Sequence, residues 1–191
     1  LFVGRWDMVR DIANRARRGE SFAVLGGTRI GKTSLFAQVR RALADQPETS
    51  AGRKVVPVFL SAQQFGRLSR SAIFAAVLDE LSLTLDGEAS EGLVRAVGEL
   101  RRGDVAEDFA FDHFVAALKR AMAVDGRFQL FILLDEVDEL RQHDWSKHFF
   151  TNHRFLISQS DLRQRINVMI AGTLSSADLW NTAGSPFYNV V

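Results

Sequence analysis

The eight residues Gly26-Gly27-Thr28-Arg29-Ile30-Gly31-Lys32-Thr33 read G-x-x-x-x-G-K-T and stand between two different hydrophobic patterns. An apolar run, Phe22-Ala23-Val24-Leu25, comes before them. After them Leu35, Phe36, Val39 and Leu43 recur at the spacing of one helix face. A strand that feeds a glycine-rich turn into a helix commits the chain to an α/β architecture. Glycines let the backbone turn tightly enough for successive N–H groups to converge on one anion. The helix N-terminus adds the positive end of its dipole. The pattern therefore predicts a phosphate cradle made of Gly27, Thr28, Arg29, Ile30 and Gly31. Lys32 supplies a point charge near the terminal phosphates, Thr33 a hydroxyl for Mg²⁺, and Ser34 continues the first helical turn. Arg29 can meet a phosphate or point to solvent, and the residues leave both open.

A second strand carries the acids such chemistry needs. Leu130-Phe131-Ile132-Leu133-Leu134 is apolar and ends in Asp135-Glu136. One acid at a strand tip can hold the water shell of Mg²⁺, and the next can orient or deprotonate an attacking water. Asp135 takes the metal role and Glu136 the water role. Asp138 and Glu139 read as an ordinary acidic helix start. A third apolar strand ends in Ile170-Ala171-Gly172-Thr173. There Thr173 either contacts the γ-phosphate or the water, or caps a turn.

Between these motifs the pattern alternates. Val9, Ile12, Ala13 and Ala16 line a first helix, with Asp7 as its cap and Gly19 as its stop. Strands are expected at 21–25, 54–60, 128–134 and 166–171. Pro57 sends the second of these to a sheet edge. Residues 45–53 form a loop. A helix over 71–85 and two more follow, with Leu93, Val94, Val97 and Leu100 on one stripe and Phe111, Phe114, Val115, Leu118 and Met122 on the other. Residues 86–90 and 102–108 read as turns between them. A further helix spans 145–160. Alternating strands and helices imply crossovers and a parallel sheet, whose ligands sit at the carboxyl ends of the strands.

Composition bounds the rest. At 47% hydrophobic and 25% charged, the 191 residues suit a water-facing globular chain with a real core. A net charge of +1 gives no strong pull toward nucleic acid or membrane. No apolar stretch is long enough for a membrane helix. With no cysteine, disulfides and thiolate chemistry are excluded, which fits a cytoplasmic setting. The chain opens on Leu1 rather than Met, so it is expected to be part of a longer polypeptide. His143, His148 and His153 recur every five residues, a poor spacing for a shared metal.

With the loop, the acidic strand and Thr173 in place, the chain resembles an AAA+-type P-loop ATPase. Within that group it resembles the STAND class, the signal-transduction ATPases with numerous domains, and the related archaeal-type ATPases. Phe2-Val3-Gly4-Arg5 with Asp7 is similar to the family's opening box, although Trp6-Asp7-Met8 departs from its usual acidic pattern. GGTRIGKTSL, FILLDEVDEL and IAGT match its phosphate loop, acidic strand and sensor strand, and GSPFYNVV resembles the approach to its last core strand.

The resemblance implies a single core domain over 1–191, a three-layer αβα P-loop NTPase. Its parallel sheet would be ordered 5-1-4-3-2, with residues 21–25 central, the last strand incomplete, and a helical insertion between strands 2 and 3. It implies adenine contact through Val3, Gly4 and Arg5, and ATP with Mg²⁺ as cofactors. It places Glu136, Lys32 and Thr173 in catalysis and Thr33 and Asp135 on the metal. It also implies a helical lid and effector or sensor domains, none within these residues. ATP or ADP, the polypeptide's other domains and a nucleotide-dependent homo-oligomer are the partners implied. No arginine finger is assigned: Arg154, Arg163 and Arg165 read better as surface charges.

The leading expectation is an ATP-hydrolysing switch whose attached domains read the nucleotide state. The alternative is the ATPase core of a DNA-handling protein such as a replication initiator or helicase loader, although no DNA-reading element is visible. A small-molecule or nucleotide kinase would need an acceptor pocket and an arginine-rich lid, and neither pattern is present. A nucleotide-binding scaffold without turnover would have little use for Asp135 and Glu136.

Overall fold

The computed structural model describes residues 5–26, 31–65, 69–158 and 160–173. The chain divides into two compact units, residues 1–63 with 129–191, and residues 64–128.

The first unit is built on a parallel sheet. Helix α1 (Trp6–Arg17) leads into strand β1 (Phe22–Leu25), and helix α2 (Lys32–Asp45) into strand β2 (Lys54–Ser61). Strand β2 passes into a 3₁₀ turn, Ala62–Phe65. The strands run β1-β4-β3-β2 across the sheet, where β3 is Phe128–Asp135 and β4 is Ile166–Gly172. This order reproduces the expected 1-4-3-2 arrangement. The expected strand 5 lies outside the described residues, and β1 is an edge of the described sheet. Strand β2 forms the other edge, where Pro57 interrupts no inner ladder.

Every residue of β3 and β4 is buried, as a continuous apolar run requires of strands covered on both faces. On one face Phe131, Leu133, Met169 and Ala171 join Val9, Ile12, Ala13 and Ala16 of α1 and Leu35, Phe36, Val39 and Leu43 of α2 in one core. The alternate residues Leu130, Ile132, Leu134, Val168 and Ile170 point the other way and are buried too.

Two buried amides tie α1 to the sheet. The Gln129 side chain donates to the Ala16 carbonyl at 2.8 Å, and that of Asn167 to the Glu20 carbonyl at 3.0 Å. Arg17 then reaches the last carbonyls of α2, at Gln46 (2.9 Å) and Ala42 (3.2 Å), where a cation suits the negative dipole end. Gly19 ends α1 in the left-handed conformation, as expected. The expected cap is displaced: Arg5 occupies the N-cap position and Asp7 lies inside the first turn, where its acid still favours the dipole.

Between β3 and β4 lie the one-turn helix α6 (Val137–Leu140) and helix α7 (Ser146–Ser158). The histidine series separates here. The His143 ring stacks on Trp145, with 4.8 Å between centroids, whereas His153 is buried against Phe149 and donates from Nδ1 to that residue's carbonyl at 2.9 Å. Among the described residues no group of His, Cys, Asp or Glu is placed as a multi-ligand metal cage.

Burial pushes the His153 imidazole down from the usual 6.5 to about 4, against the pull of the Phe149 carbonyl. Below pH 6.5 the unfolded chain therefore takes up the proton that the folded chain refuses. This part of the stability is complete above pH 6.5 and falls as the pH drops toward 4. Urea midpoints should decline by the equivalent of about 2 kcal/mol between pH 7 and pH 5, a slope that His153→Gln should flatten. An equal slope in both proteins would exclude His153 as its source.

The second unit is helical: α3 (Arg70–Ser82), α4 (Gly87–Arg102) and α5 (Ala110–Val124). Ser69 caps α3 by accepting from the Ala72 N–H at 3.3 Å, and Gly103 closes α4 in the left-handed conformation. Phe74 stacks on Phe114 at 4.9 Å in its core. Two expectations are corrected. Residues 87–90 belong to α4 rather than to a turn, because Asp86 and Gly87 open the helix early. Val94 is 56% exposed, roughly a quarter-turn around α4 from the buried stripe of Leu93, Val97 and Leu100.

Candidate functional site

Strand register decides where the chemistry gathers. Leu25 of β1 pairs with Gly172 of β4, and Leu134 of β3 with Ile170. The strands are parallel, so Gly26, Asp135 and Thr173 all leave the sheet at its carboxyl edge. The Gly26 N–H extends the pairing by one rung, to the Gly172 carbonyl at 3.2 Å. A cleft of about 480 Å³ opens at this edge, within the size range of small-molecule sites. Gly31, Lys32, Thr33 and Ser34 line one side of it, Asp135, Glu136, Asp138 and Glu139 another, with Gln63, Gly172 and Thr173 completing the wall.

Gly31 is the N-cap of α2 and has φ +85°, a conformation that strains any residue with a Cβ. The first turn of α2 holds no acid to neutralise its dipole. Lys32 turns back to donate to the Gly26 carbonyl at 3.1 Å, spanning the loop from its exit to its entry. Thr33 Oγ1 donates to Asp135 Oδ2 at 2.8 Å, across 102 residues of sequence. The other Asp135 oxygen accepts the Glu136 N–H at 2.9 Å. The Thr33 proton is thus committed to the carboxylate, which leaves its oxygen lone pairs for a cation. A hydroxyl and a carboxylate on one wall are the hard oxygen donors that Mg²⁺ prefers. The residues present fit Mg²⁺.

Glu136 is the only non-glycine residue with positive φ among those described, at 56°. A left-handed conformation costs a residue with a side chain about 1–2 kcal/mol, and such outliers concentrate at functional sites. The twist turns the Glu136 side chain off the strand line, and its Oε2 accepts from Ser61 Oγ at 3.0 Å. Ser61 is the last residue of β2, so the ends of β2 and β3 meet here. At the end of β4, the Thr173 N–H and hydroxyl both donate to Asp138, each at 2.8 Å.

A family model described as "AAA ATPase domain" matches residues 2–153, four-fifths of the chain and the whole span from the opening box to α7. The chain belongs to the AAA ATPase domain family. Its fold is similar to that of Aeropyrum pernix ORC1, solved in complex with DNA, with a TM-score of 0.66, 16% identity, and coverage of 98% of this chain and 43% of that one. It is also similar to a Walker-type ATPase of Pyrococcus abyssi, with a TM-score of 0.57, 14% identity, and coverage of 100% of this chain and 52% of the other. The AAA domain chain thus spans about half the length of these solved structures. A search of curated proteins gave no match.

Of the expected site residues, the AAA domain brings Gly31, Lys32, Thr33, Ser34, Asp135, Glu136 and Thr173 to one cleft. Val3, Gly4, Gly27, Thr28, Arg29 and Ile30 lie outside the described residues. Arg5 is described, at the start of α1. Arg163 and Arg165 precede β4, at the end of the strand away from Thr173, about 20 Å along the sheet. The reading of Asp138 as a mere acidic helix start is corrected, since it holds the strand tip that carries Thr173. Ser61 and Gln63 were not anticipated. Ser61 had a signal, being the polar residue that ends an apolar strand, as Thr173 is.

Proposed function

We propose that this AAA domain binds ATP with Mg²⁺, hydrolyses it, and acts as the nucleotide-responsive switch of a larger STAND-type signalling ATPase. The observation that carries the proposal is the meeting of Lys32, Thr33, Asp135, Glu136 and Thr173 at one sheet edge. By the loop pattern residues 27–31 would take the phosphates and Lys32 the terminal ones, and by the family resemblance residues 3–5 would serve the adenine. Thr33 and, through water, Asp135 would hold Mg²⁺, which would supply charge neutralisation on the transferred phosphoryl group. Glu136 takes a proton from water as its oxygen bonds to the γ-phosphorus. The bond to the ADP oxygen breaks, leaving ADP and phosphate. Loss of the γ-phosphate removes contacts that hold the strand tips, which is the change attached domains would sense. The absence of cysteine suits a cytoplasmic location. Among the described residues, no helix is long and apolar enough to cross a membrane.

Calorimetric titration with ATP, ADP and GTP, with Mg²⁺ and with chelator, tests the binding half. ATP should bind best and need Mg²⁺ for turnover; a preference for GTP would overturn the ATP assignment.

One observation favours a second reading. A fold similar to ORC1 in complex with DNA supports the ATPase core of a DNA-handling protein. Charge divides on the question. The helical unit carries 8 Lys and Arg against 11 Asp and Glu, a net −3, so the remainder of the chain carries +4 of the overall +1. DNA affinity in the full-length polypeptide that falls steeply with salt would decide for this reading.

A further inference from the structure

We infer that the amino edge of the sheet, at the opposite end of the strands from the cleft, is a docking surface for the phosphate backbone of duplex DNA. The inference deepens the DNA-handling reading and rests on it.

The overall charge of +1 hides a segregation. The strands of the first unit begin at this edge, and α1 and α2 end there. Residues 11–20, 40–54 and 160–165 bring nine Lys and Arg to it against five Asp and Glu. The rest of that unit balances at seven of each, so its whole surplus of +4 lies on this edge. Three long-range contacts join the segments into one surface. Arg17 donates to the Gln46 carbonyl at 2.9 Å, Arg53 to the Gln164 carbonyl at 3.2 Å, and the Asn167 amide to the Glu20 carbonyl at 3.0 Å.

Local pairing leaves the surplus in place. Arg15 takes Asp11 at 2.9 Å, and Arg18 takes Glu20 at 2.6 Å. Arg17 and Arg53 are held by neutral oxygens rather than by acids, Arg17 through all three of its nitrogens. Both are therefore fixed in position with their charge uncompensated by a carboxylate. Arg40, Arg41, Lys54 and Arg163 are exposed, and their side chains meet no acid among the described residues. Helix dipoles account for Arg17 but not for the other five. The last turn of α2 holds no basic residue, and Arg53, Lys54 and Arg163 belong to no helix.

Five of these six cations are arginines, whose planar fork matches the oxygens of a phosphate. Among the described residues, the exposed large apolar side chains of this unit are Trp6, Met8 and Phe155, and none falls within the three segments. The edge thus offers no aromatic platform for unstacked bases and no apolar wedge for a bilayer. It can grip a regular array of charge, which a duplex backbone supplies at one phosphate per about 1.7 Å of axis.

Fluorescence anisotropy of the full-length polypeptide with a labelled duplex of mixed sequence, across a salt series, tests the surface. Each of Arg40→Gln, Arg41→Gln, Lys54→Gln and Arg163→Gln should take about 1 from the slope of log K against log salt. Together they should take about 3 to 4 from it and lower the affinity at least roughly 100-fold near 0.15 M salt. Exposed substitutions of this kind cost little stability, and circular dichroism checks the fold of each variant. Arg17 and Arg53 stay in place because they also hold the segments together. Lys147→Gln, in the first turn of α7, removes the same charge elsewhere and should leave the slope unchanged.

A slope that the four substitutions leave intact, or that Lys147→Gln lowers as much as any of them, overturns the inference and spares the DNA-handling reading. Tighter binding to a single strand than to the duplex overturns it too, as does tighter binding to phosphatidylserine vesicles at equal phosphate concentration. No duplex binding by the full-length wild type removes the DNA-handling reading as well.

Discussion

Replacing Lys32 with alanine should weaken ATP binding at least roughly 30-fold while leaving the fold in place. Lys32 is the first residue of α2, beside the left-handed Gly31, where the loop pattern sets its ammonium toward the expected terminal phosphates. Truncating one member of a buried charge pair costs about 2–5 kcal/mol, or roughly 30-fold to several-thousand-fold in dissociation constant. The same side chain does little for the empty domain. Its bond to the Gly26 carbonyl is partly buried and worth about 1–2 kcal/mol. The two contributions separate in one experiment. At an ATP concentration about 100 times its dissociation constant, wild type should gain about 2.7 kcal/mol of stability. Lys32→Ala should keep at most about 0.9 kcal/mol of that gain, seen as a much smaller nucleotide-dependent rise in Tm, with a Tm several degrees below wild type at most when no nucleotide is present. An unchanged ATP affinity in the variant would exclude the cradle as the binding site.

The architecture was legible because hydrophobic pattern and sheet topology share a cause. Residues 128–134 and 166–171 read as uninterrupted apolar runs, and both became strands buried on two faces. Pro57 marked an edge, and β2 is one. The G-x-x-x-x-G-K-T spacing and the acids after Leu134 named Lys32, Thr33, Asp135 and Glu136 before any geometry was available. The remainder depended on long-range pairing that local pattern does not encode. Asp138 looked like one more acid at a helix start. Its contact with Thr173 lies 35 residues away in sequence and exists only because α6 folds under the tip of β4. Ser61 meets Glu136 across 75 residues for the same reason. The early start of α4 was missed because Gly87 and the polar residues around it carry turn propensity, which the packing of Ala89 and Leu93 overrides.

Exchanging Glu136 for glutamine should leave ATP binding near wild type and reduce turnover about 10²- to 10⁴-fold, the usual contribution of a positioned general base. The substitution is close to isosteric, and its amide oxygen can still accept from Ser61, which now donates to Oε2 at 3.0 Å. Glutamine bears the left-handed backbone at φ 56° with the same strain as glutamate, so the turn into α6 has no new reason to move. Basicity is what changes. An amide cannot take the proton that leaves water as its oxygen bonds to phosphorus, so the transition state loses stabilisation that the bound state never had. In kinetic terms, kcat and kcat/KM fall together while the dissociation constant stays, the mark of a contact made only in the transition state. Single-turnover hydrolysis and equilibrium titration of the same preparation measure the two quantities separately. A variant that hydrolyses ATP at the wild-type rate would refute Glu136 as the base, and the strain at its backbone would then need another explanation.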